Sequence, residues 1–282
     1  MCGIFLHLSD DVDVENVRGY GGKIKHRGPD STAEKTIHET NKTLYFQFHR
    51  LAINGLTESG NQPMEIGNKV LMCNGEIYNY KELAEKYSFN LKTGSDCEII
   101  IHLSNIMPVK DYIRLLDGVF SFVLYDKLQK CLTIGHDPLG VRPLYWSKDH
   151  HTDCKTLTLC SEMKGIYDLK ENIEFYPPGT FSLYYLKTNK LHTYSFYNFK
   201  YPRINHSEEE ILINIKEKLI HSVKKRLLSD RPVGCLLSGG LDSSIITSIV
   251  CKFIEPSKVK TFSIGLEGSP DLIASEKIAE YL

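Results

Sequence analysis

Apolar positions in the first 200 residues fall in short runs that end at turn chemistry. MCGIFLHL, LYFQFHRLAI, KVLMCNG, GVFSFVLYD, KCLTIGHD and TLTLCSE, and then FSLYYL and LHTYSFY joined by KTNK, are rich in β-branched and aromatic residues. Each reads as a strand. Within LYFQFH, Leu44, Phe46 and Phe48 alternate with more polar neighbours, the period of a half-buried strand. Residues 80–87, after NGEIYN, and 96–106, around CEIIIHLSNI, read as helices instead. Many antiparallel strands with few helices predict stacked sheets flanked by helices, an α+β sandwich.

The pattern changes near YPRINHSEEE. Ser207 followed by Glu210 is a capping box, and Ile211, Ile215, Leu219, Val223 and Leu227 then recur on one helical face until Pro232 stops the helix. Beyond it VGCLL reads as a continuous apolar strand, SGG as a tight turn and LDSSIITSIVCKFI as a helix. VKTFSIGL is a second strand, and SPDLIASEKIAEYL a helix with Pro270 at its start. This is βαβα, the opening of a parallel α/β sheet. The expected division is therefore a first domain at 2–200 and a second at 207–282. Two parallel strands cannot be covered on both faces by so few helices, so the second module is expected to be the N-terminal part of a larger domain.

Charge and composition then narrow the partners. Lys and Arg number 34 against 35 Asp and Glu, a net charge of −1, which gives no field favouring nucleic acid or an anionic membrane. No apolar run has the length of a membrane span, and no basic segment with an apolar stretch opens the chain. A soluble, cytoplasmic protein is expected. The eight cysteines form no CxxC pair and several sit inside apolar runs, so they read as reduced and mostly buried thiols. The 11 histidines fall in no HxxxH or HExxH pattern, and no protein-ligated transition metal is expected.

Two stretches carry chemistry. In MCGIF, Cys2 is small enough for methionine removal, which would place a thiol and an α-amine on one residue. The amine titrates at about 7.7–8, so it can take the thiol's proton near neutral pH. Taken alone, an N-terminal cysteine has an ordinary reading with no role at all. SGGLDSS (238–244) lies between a strand and a helix, where Gly239 and Gly240 let backbone N–H groups approach an anion. Ser238, Ser243 and Ser244 can donate to phosphate oxygens, and Asp242 can help hold Mg²⁺. It has no lysine of the GxxxxGK[ST] kind.

SGGLDSS in this setting resembles the pyrophosphate loop of the ATP pyrophosphatases. MCGIF, with HRGPD, HRLAI, QPM, NGEIYN, GSDCEII, LDGVFSFVLYD, DPLGVRPLY and SEMKGI, resembles the class II, N-terminal-nucleophile glutamine amidotransferases. Together in this order they resemble the glutamine-hydrolysing asparagine synthetase family over residues 1–282. The resemblance implies an N-terminal-nucleophile sandwich of antiparallel sheets between helices, followed by the start of an α/β ATP-pyrophosphatase domain. It implies Cys2 as nucleophile, with the Asn74 side chain and Gly75 N–H as the oxyanion hole; glycine at 75 suits an N–H that must reach the oxygen unobstructed. Arg50 would clamp the glutamine carboxylate, Glu76 and Asp96 its ammonium, and Leu51, Ala52, Ile53 and Asn54 would line the pocket through their backbone. Adenine would meet the backbone at Leu236 and Ile264. HRGPD and DPLGVRPLY are expected to shape loops only.

Two positions depart from the family pattern: His136 stands where an arginine is usual, and Asn54 where an apolar or acidic residue is. The implied activity is glutamine-dependent asparagine synthesis, in which ammonia attacks a β-aspartyl-AMP made from aspartate and ATP with Mg²⁺. A homodimer is compatible with it. The alternatives are another amidotransferase, which would not need SGGLDSS, a β-lactam synthetase-like relative, which would not need Cys2, and a glutaminase-only or regulatory homologue.

Overall fold

The computed structural model describes residues 1–149, 154–169, 172–203 and 205–282. It divides into two compact units, Met1–Lys200 and Tyr201–Leu282.

The first unit is built on two six-stranded antiparallel sheets. One has the order β10 (Glu174–Phe175), β8 (Tyr145–Lys148), β9 (Leu157–Cys160), β1 (Gly3–Ser9), β3 (Lys42–Arg50), β2 (Ser31–Glu39). The other runs β12 (Lys190–Ser195), β11 (Thr180–Tyr185), β7 (Cys131–His136), β6 (Gly118–Asp126), β5 (Lys69–Ile77), β4 (Met64–Ile66). Period-2 alternation sends Ile4, Leu6 and Leu8 of β1, Leu44, Phe46 and Phe48 of β3, and Val70 and Met72 of β5 into one buried layer between the sheets. The opposite faces are covered by helices. Leu71, Cys73 and Ile77 pack with Leu83 of α2 (Tyr80–Lys86) and with Ile99, Ile100 and Leu103 of α3 (Glu98–Ile106). Phe5 and Tyr45 pack with Val17 of α1 (Val14–Gly22). The result is a helix–sheet–sheet–helix sandwich, with the short α4 (Val109–Tyr112) completing the layer over β6.

The half-buried reading of LYFQFH is corrected by this layering. Tyr45 and Gln47 on the second face of β3 are as buried as Phe46, because the layer containing α1 closes over them. Neither α1 nor β2 stands out in the sequence. VENVRGYGG has three glycines and a single buried apolar side chain, Val17, and depends on the Asp13 carboxylate accepting from the Asn16 N–H. β2 is a polar edge strand held in register by β3, Ser31 opposite Arg50 through Glu39 opposite Lys42.

In the second unit, α5 (Glu208–Arg226) starts at the expected capping box, with Ser207 and Glu210 each bonding the other's backbone N–H. It ends at a Leu227 cap, before Pro232, so the proline is not what stops it. Only the later part of its stripe is packed: Val223, with Leu219 and Leu227, meets Cys235, Ile249 and Val250, whereas Ile215 remains exposed. Strands β13 (Gly234–Leu236) and β14 (Lys260–Phe262) pair in parallel, joined through α6 (Leu241–Val250), and α7 (Pro270–Tyr281) follows. Among the described residues no helix is long and apolar enough to cross a membrane.

Candidate active site at the end of the sandwich

The stripes that fill the inter-sheet layer continue, at the same parity, into polar residues. One step before Ile4 on that face is Cys2, one step past Phe48 is Arg50, and past Met72 come Asn74 and Glu76. The β1–β3 register pairs Gly3 with His49, which sets Cys2 against Arg50. The chain thus brings four candidate residues to one end of the hydrophobic layer. They line a cavity of about 30 Å³ together with Met1, Leu51, Ala52, Ile53, Asn54, Gly75 and Asp96. All ten residues proposed for the first module lie in this one wall.

The Cys2 thiol donates to the Leu51 carbonyl at 3.5 Å, and the Leu51 N–H points back at Sγ at 3.3 Å. Burial raises the thiol above its ordinary pKa, so it rests protonated and requires a base. On the α-amine of Met1, the neighbouring residue, burial acts in the opposite sense and pushes it down, favouring a neutral nitrogen.

Asn74 is 1% exposed and its Nδ2 is buried without a hydrogen-bond partner among the described residues. Such an orphan donor costs about 1–3 kcal/mol and is retained where something must be received. Gly75 supplies a second donor by strand geometry. Cys73 turns its N–H and C=O away from β6 to the Gln62 side chain, and Ile77 turns its N–H away to Asp96 Oδ2 at 2.6 Å. Gly75, midway between them, faces the same open edge, because β4 pairs only as far as Leu71. Its lack of a side chain has a reason other than access to that edge: a Cβ there would lie 2.4 Å from the Val119 carbonyl of β6.

Arg50, 6% exposed, spends much of its fork on the following loop. It donates to Thr57 O and Asn61 Oδ1, each at 2.8 Å, and to the carbonyls of Asn54 and Gly55. Asp96 is 4% exposed, and burial raises its carboxyl to about 6 against the Ile77 N–H that favours the charged form. The loop that carries it is fixed by Glu98, whose carboxylate accepts from Lys92 N, Thr93 N and Thr93 Oγ1. Burial would raise Glu98, but these bonds hold it below the usual range.

Sequence reasoning left DPLGVRPLY and QPM without site roles, yet each contributes to the wall. Arg142 lines the cavity and pairs with Glu76, Nη2 to Oε1 at 2.6 Å, while its Nε is buried and unpartnered among the described residues. Asp137 presents it, accepting from the N–H groups of Phe120, Leu139 and Val141. The signal available was the arginine in a Gly- and Pro-punctuated loop, which carries no direction until the loop is folded.

In the second unit, Ser238, Gly239, Gly240, Asp242 and Ser243 lie together at the N-terminus of α6, where Gly240 provides no side-chain cap. Ser238 Oγ and Ser243 Oγ meet at 3.0 Å, and Ser244 Oγ donates to Gly240 O. Gly239 has φ +78°, and a Cβ on it would strike Asp271 O and Ala274 of α7. Leu236 ends β13 and Ile264 lies just past β14, and these residues are 83% and 99% exposed. Among the described residues no group of three or more His, Cys, Asp or Glu is arranged to hold a metal.

Comparison with known proteins gives the family. Residues 1–201 match the glutamine amidotransferase domain family, and residues 214–282 match the asparagine synthase family. The chain is 36% identical to the asparagine synthetase [glutamine-hydrolyzing] of Homo sapiens, over all of this chain and 54% of that protein. It is 32% identical to the probable asparagine synthetase [glutamine-hydrolyzing] of Acanthamoeba polyphaga mimivirus, over all of this chain and 55% of that one. The chain therefore spans about half the length of the curated relatives it matches. Among solved structures, glutamine phosphoribosylpyrophosphate amidotransferase from B. subtilis, complexed with ADP and GMP, superposes with a TM-score of 0.57 at 16% identity. That match covers 93% of this chain and 65% of the other, a likeness of fold alone. The chain continues into a segment that matches the asparagine synthase family, and on the match over residues 1–201 it belongs to the glutamine amidotransferase domain family.

Proposed function

We propose that the first unit hydrolyses glutamine at Cys2, and that its ammonia serves the ATP-dependent conversion of aspartate to asparagine. The observation that carries the reading is Asn74 Nδ2, buried without a hydrogen-bond partner among the described residues, in the same cavity wall as the Cys2 thiol. With Met1 removed, the Cys2 amine takes the thiol proton, and Sγ attacks the side-chain carbonyl of glutamine. Asn74 Nδ2 and the Gly75 N–H receive the oxyanion; one such donor is worth about 2.7–4 kcal/mol of barrier. Arg50 holds the α-carboxylate, while Glu76 and Asp96 hold the α-ammonium. As it stands the cavity has room for roughly a water or two, with Met1 in its wall, so processing enlarges the space at the nucleophile.

The residues at the start of α6 fit a polyphosphate: an uncapped helix N-terminus, a positive-φ glycine and clustered serine hydroxyls. There Ser238, Gly240 and Ser243 would hold ATP phosphates, with Asp242 toward the accompanying Mg²⁺ and the Leu236 and Ile264 backbones beside adenine. ATP, as substrate, would adenylate aspartate. The net reaction is aspartate, ATP, glutamine and water to asparagine, AMP, pyrophosphate and glutamate. A cytoplasmic setting and a homodimer are part of this reading.

Ammonia release from glutamine, measured beside the intact mass of the N-terminus, tests it. Activity is expected only in protein beginning at Cys2, and none in Cys2→Ala of unchanged circular dichroism. Full activity with Met1 retained overturns the own-amine mechanism.

A further inference from the structure

We propose that Arg142 keeps the amine of Cys2 free to act as base by holding the Glu76 carboxylate away from it. The inference rests on the glutamine-hydrolysis reading and assigns a positioning residue to it. In each turnover the amine lone pair takes the Sγ proton while the sulfur pair forms a C–S bond to glutamine Cδ. The carbonyl π pair moves to oxygen. Collapse of the oxyanion breaks C–N, and the ammonium proton passes to the leaving nitrogen, so ammonia departs and the amine is neutral again. Water repeats the sequence on the thioester and releases glutamate.

This cycle fails if the amine is held as an ammonium. The charged groups around it are Arg27, whose Nε donates to the Cys2 carbonyl at 2.8 Å, Arg50 from β3, Asp96 from the loop before α3, Glu76 from β5 and Arg142. Asp96 is turned to the Ile77 N–H. Glu76 lies on the same inter-sheet face as Cys2, in the same cavity wall, and a carboxylate beside an amine forms an ion pair when it is free to do so. Arg142 Nη2 occupies Glu76 Oε1 at 2.6 Å, with both side chains largely out of solvent. The fields at the Met1 amine, one residue earlier, run the same way: burial lowers it most, Cys2 raises it, Arg27 and Arg142 push it toward its neutral form, and Glu76 opposes them.

The test is kcat for glutamine hydrolysis against pH between about 6 and 10, in the wild type, Arg142→Met, Arg142→Gln and Arg142→Lys. Removing the charge should move the acidic limb up by about one pH unit, a loss of about tenfold near pH 6.5 that disappears by about pH 9. Arg142→Lys should restore the limb, and Glu76→Gln added to Arg142→Met should bring the acidic limb back to its wild-type pH, whatever the double variant loses in glutamine binding and turnover. An equal loss at every pH in both uncharged variants, or an unmoved limb, overturns the inference while leaving the glutaminase reading intact. A wild type that releases no ammonia overturns both.

Discussion

Gln62 closes both ends of its amide on the backbone of Cys73, Oε1 accepting from the N–H at 2.6 Å and Nε2 reaching the C=O at 3.4 Å. This side chain stands where a further strand would otherwise pair with β5, since β4 ends its pairing at Leu71. It holds the strand one residue before the two proposed oxyanion donors. Gln62→Ala should therefore leave a buried N–H and C=O unpaired and cost about 1–3 kcal/mol of stability. It should also lower kcat for glutamine more than it raises KM, because Asn74 and Gly75 lose their alignment. Urea unfolding with steady-state ammonia release measures both.

Asn74 and Arg50 should separate cleanly in kinetics. Asn74→Ala removes a donor used near the transition state and is expected to lower kcat about 10²–10³-fold with little change in KM. Arg50→Lys keeps the charge and loses the fork, so KM should rise strongly with a smaller effect on kcat. Arg50 also ties down residues 54–61, so this variant should further show faster hydrogen exchange in that loop. A change in KM alone for Asn74→Ala would sink the oxyanion assignment.

Asp96 predicts a pH dependence of binding. Burial pushes its carboxyl up to about 6. A bound α-ammonium favours the carboxylate, so the bound value lies lower. Affinity contributed by Asp96 is then fully present above about pH 6 and is lost as pH falls through that value toward the bound one. KM for glutamine should rise on acidification in the wild type. In Asp96→Asn it should start high and stay flat over the same range.

Gly239→Ala tests the second unit. Its φ of +78° and the approach of α7 leave no space for a methyl group, so the loop must shift. ATP binding, followed by fluorescence of a labelled nucleotide, should weaken by tenfold or more, as expected for about 1.4 kcal/mol or above. Glutamine hydrolysis should remain at the wild-type rate. Equal loss of both activities would argue that the substitution unfolds the chain.

Much of the sandwich was legible because its strands are short apolar runs, rich in β-branched and aromatic residues, that end at turn residues, as β5 and β6 do. What was hidden depended on partners far along the chain. β2 is polar and exists because β3 pairs with it over its whole length. Tyr45 and Gln47 are buried by a helix whose own sequence signal is weak. The site shows the same division. Cys2, Arg50, Asn74, Gly75, Glu76 and Asp96 were readable as residue types within motifs. The pairing of Arg142 with Glu76 crosses 66 positions and can be found only once β5 and the loop after β7 are folded side by side.

The shared parity of the cavity residues with the core stripes limits how such a chain can vary. Deleting or inserting one residue within β1, β3 or β5 rotates everything beyond it to the opposite sheet face. In β3 the slip would turn Arg50 toward the helices, and in β5 it would do the same to Asn74 and Glu76, even where each stripe could be refilled with side chains of suitable volume. Changes in length are thus tolerable in the connections between strands. Within these three strands the count of residues is itself under functional constraint, separately from their identities.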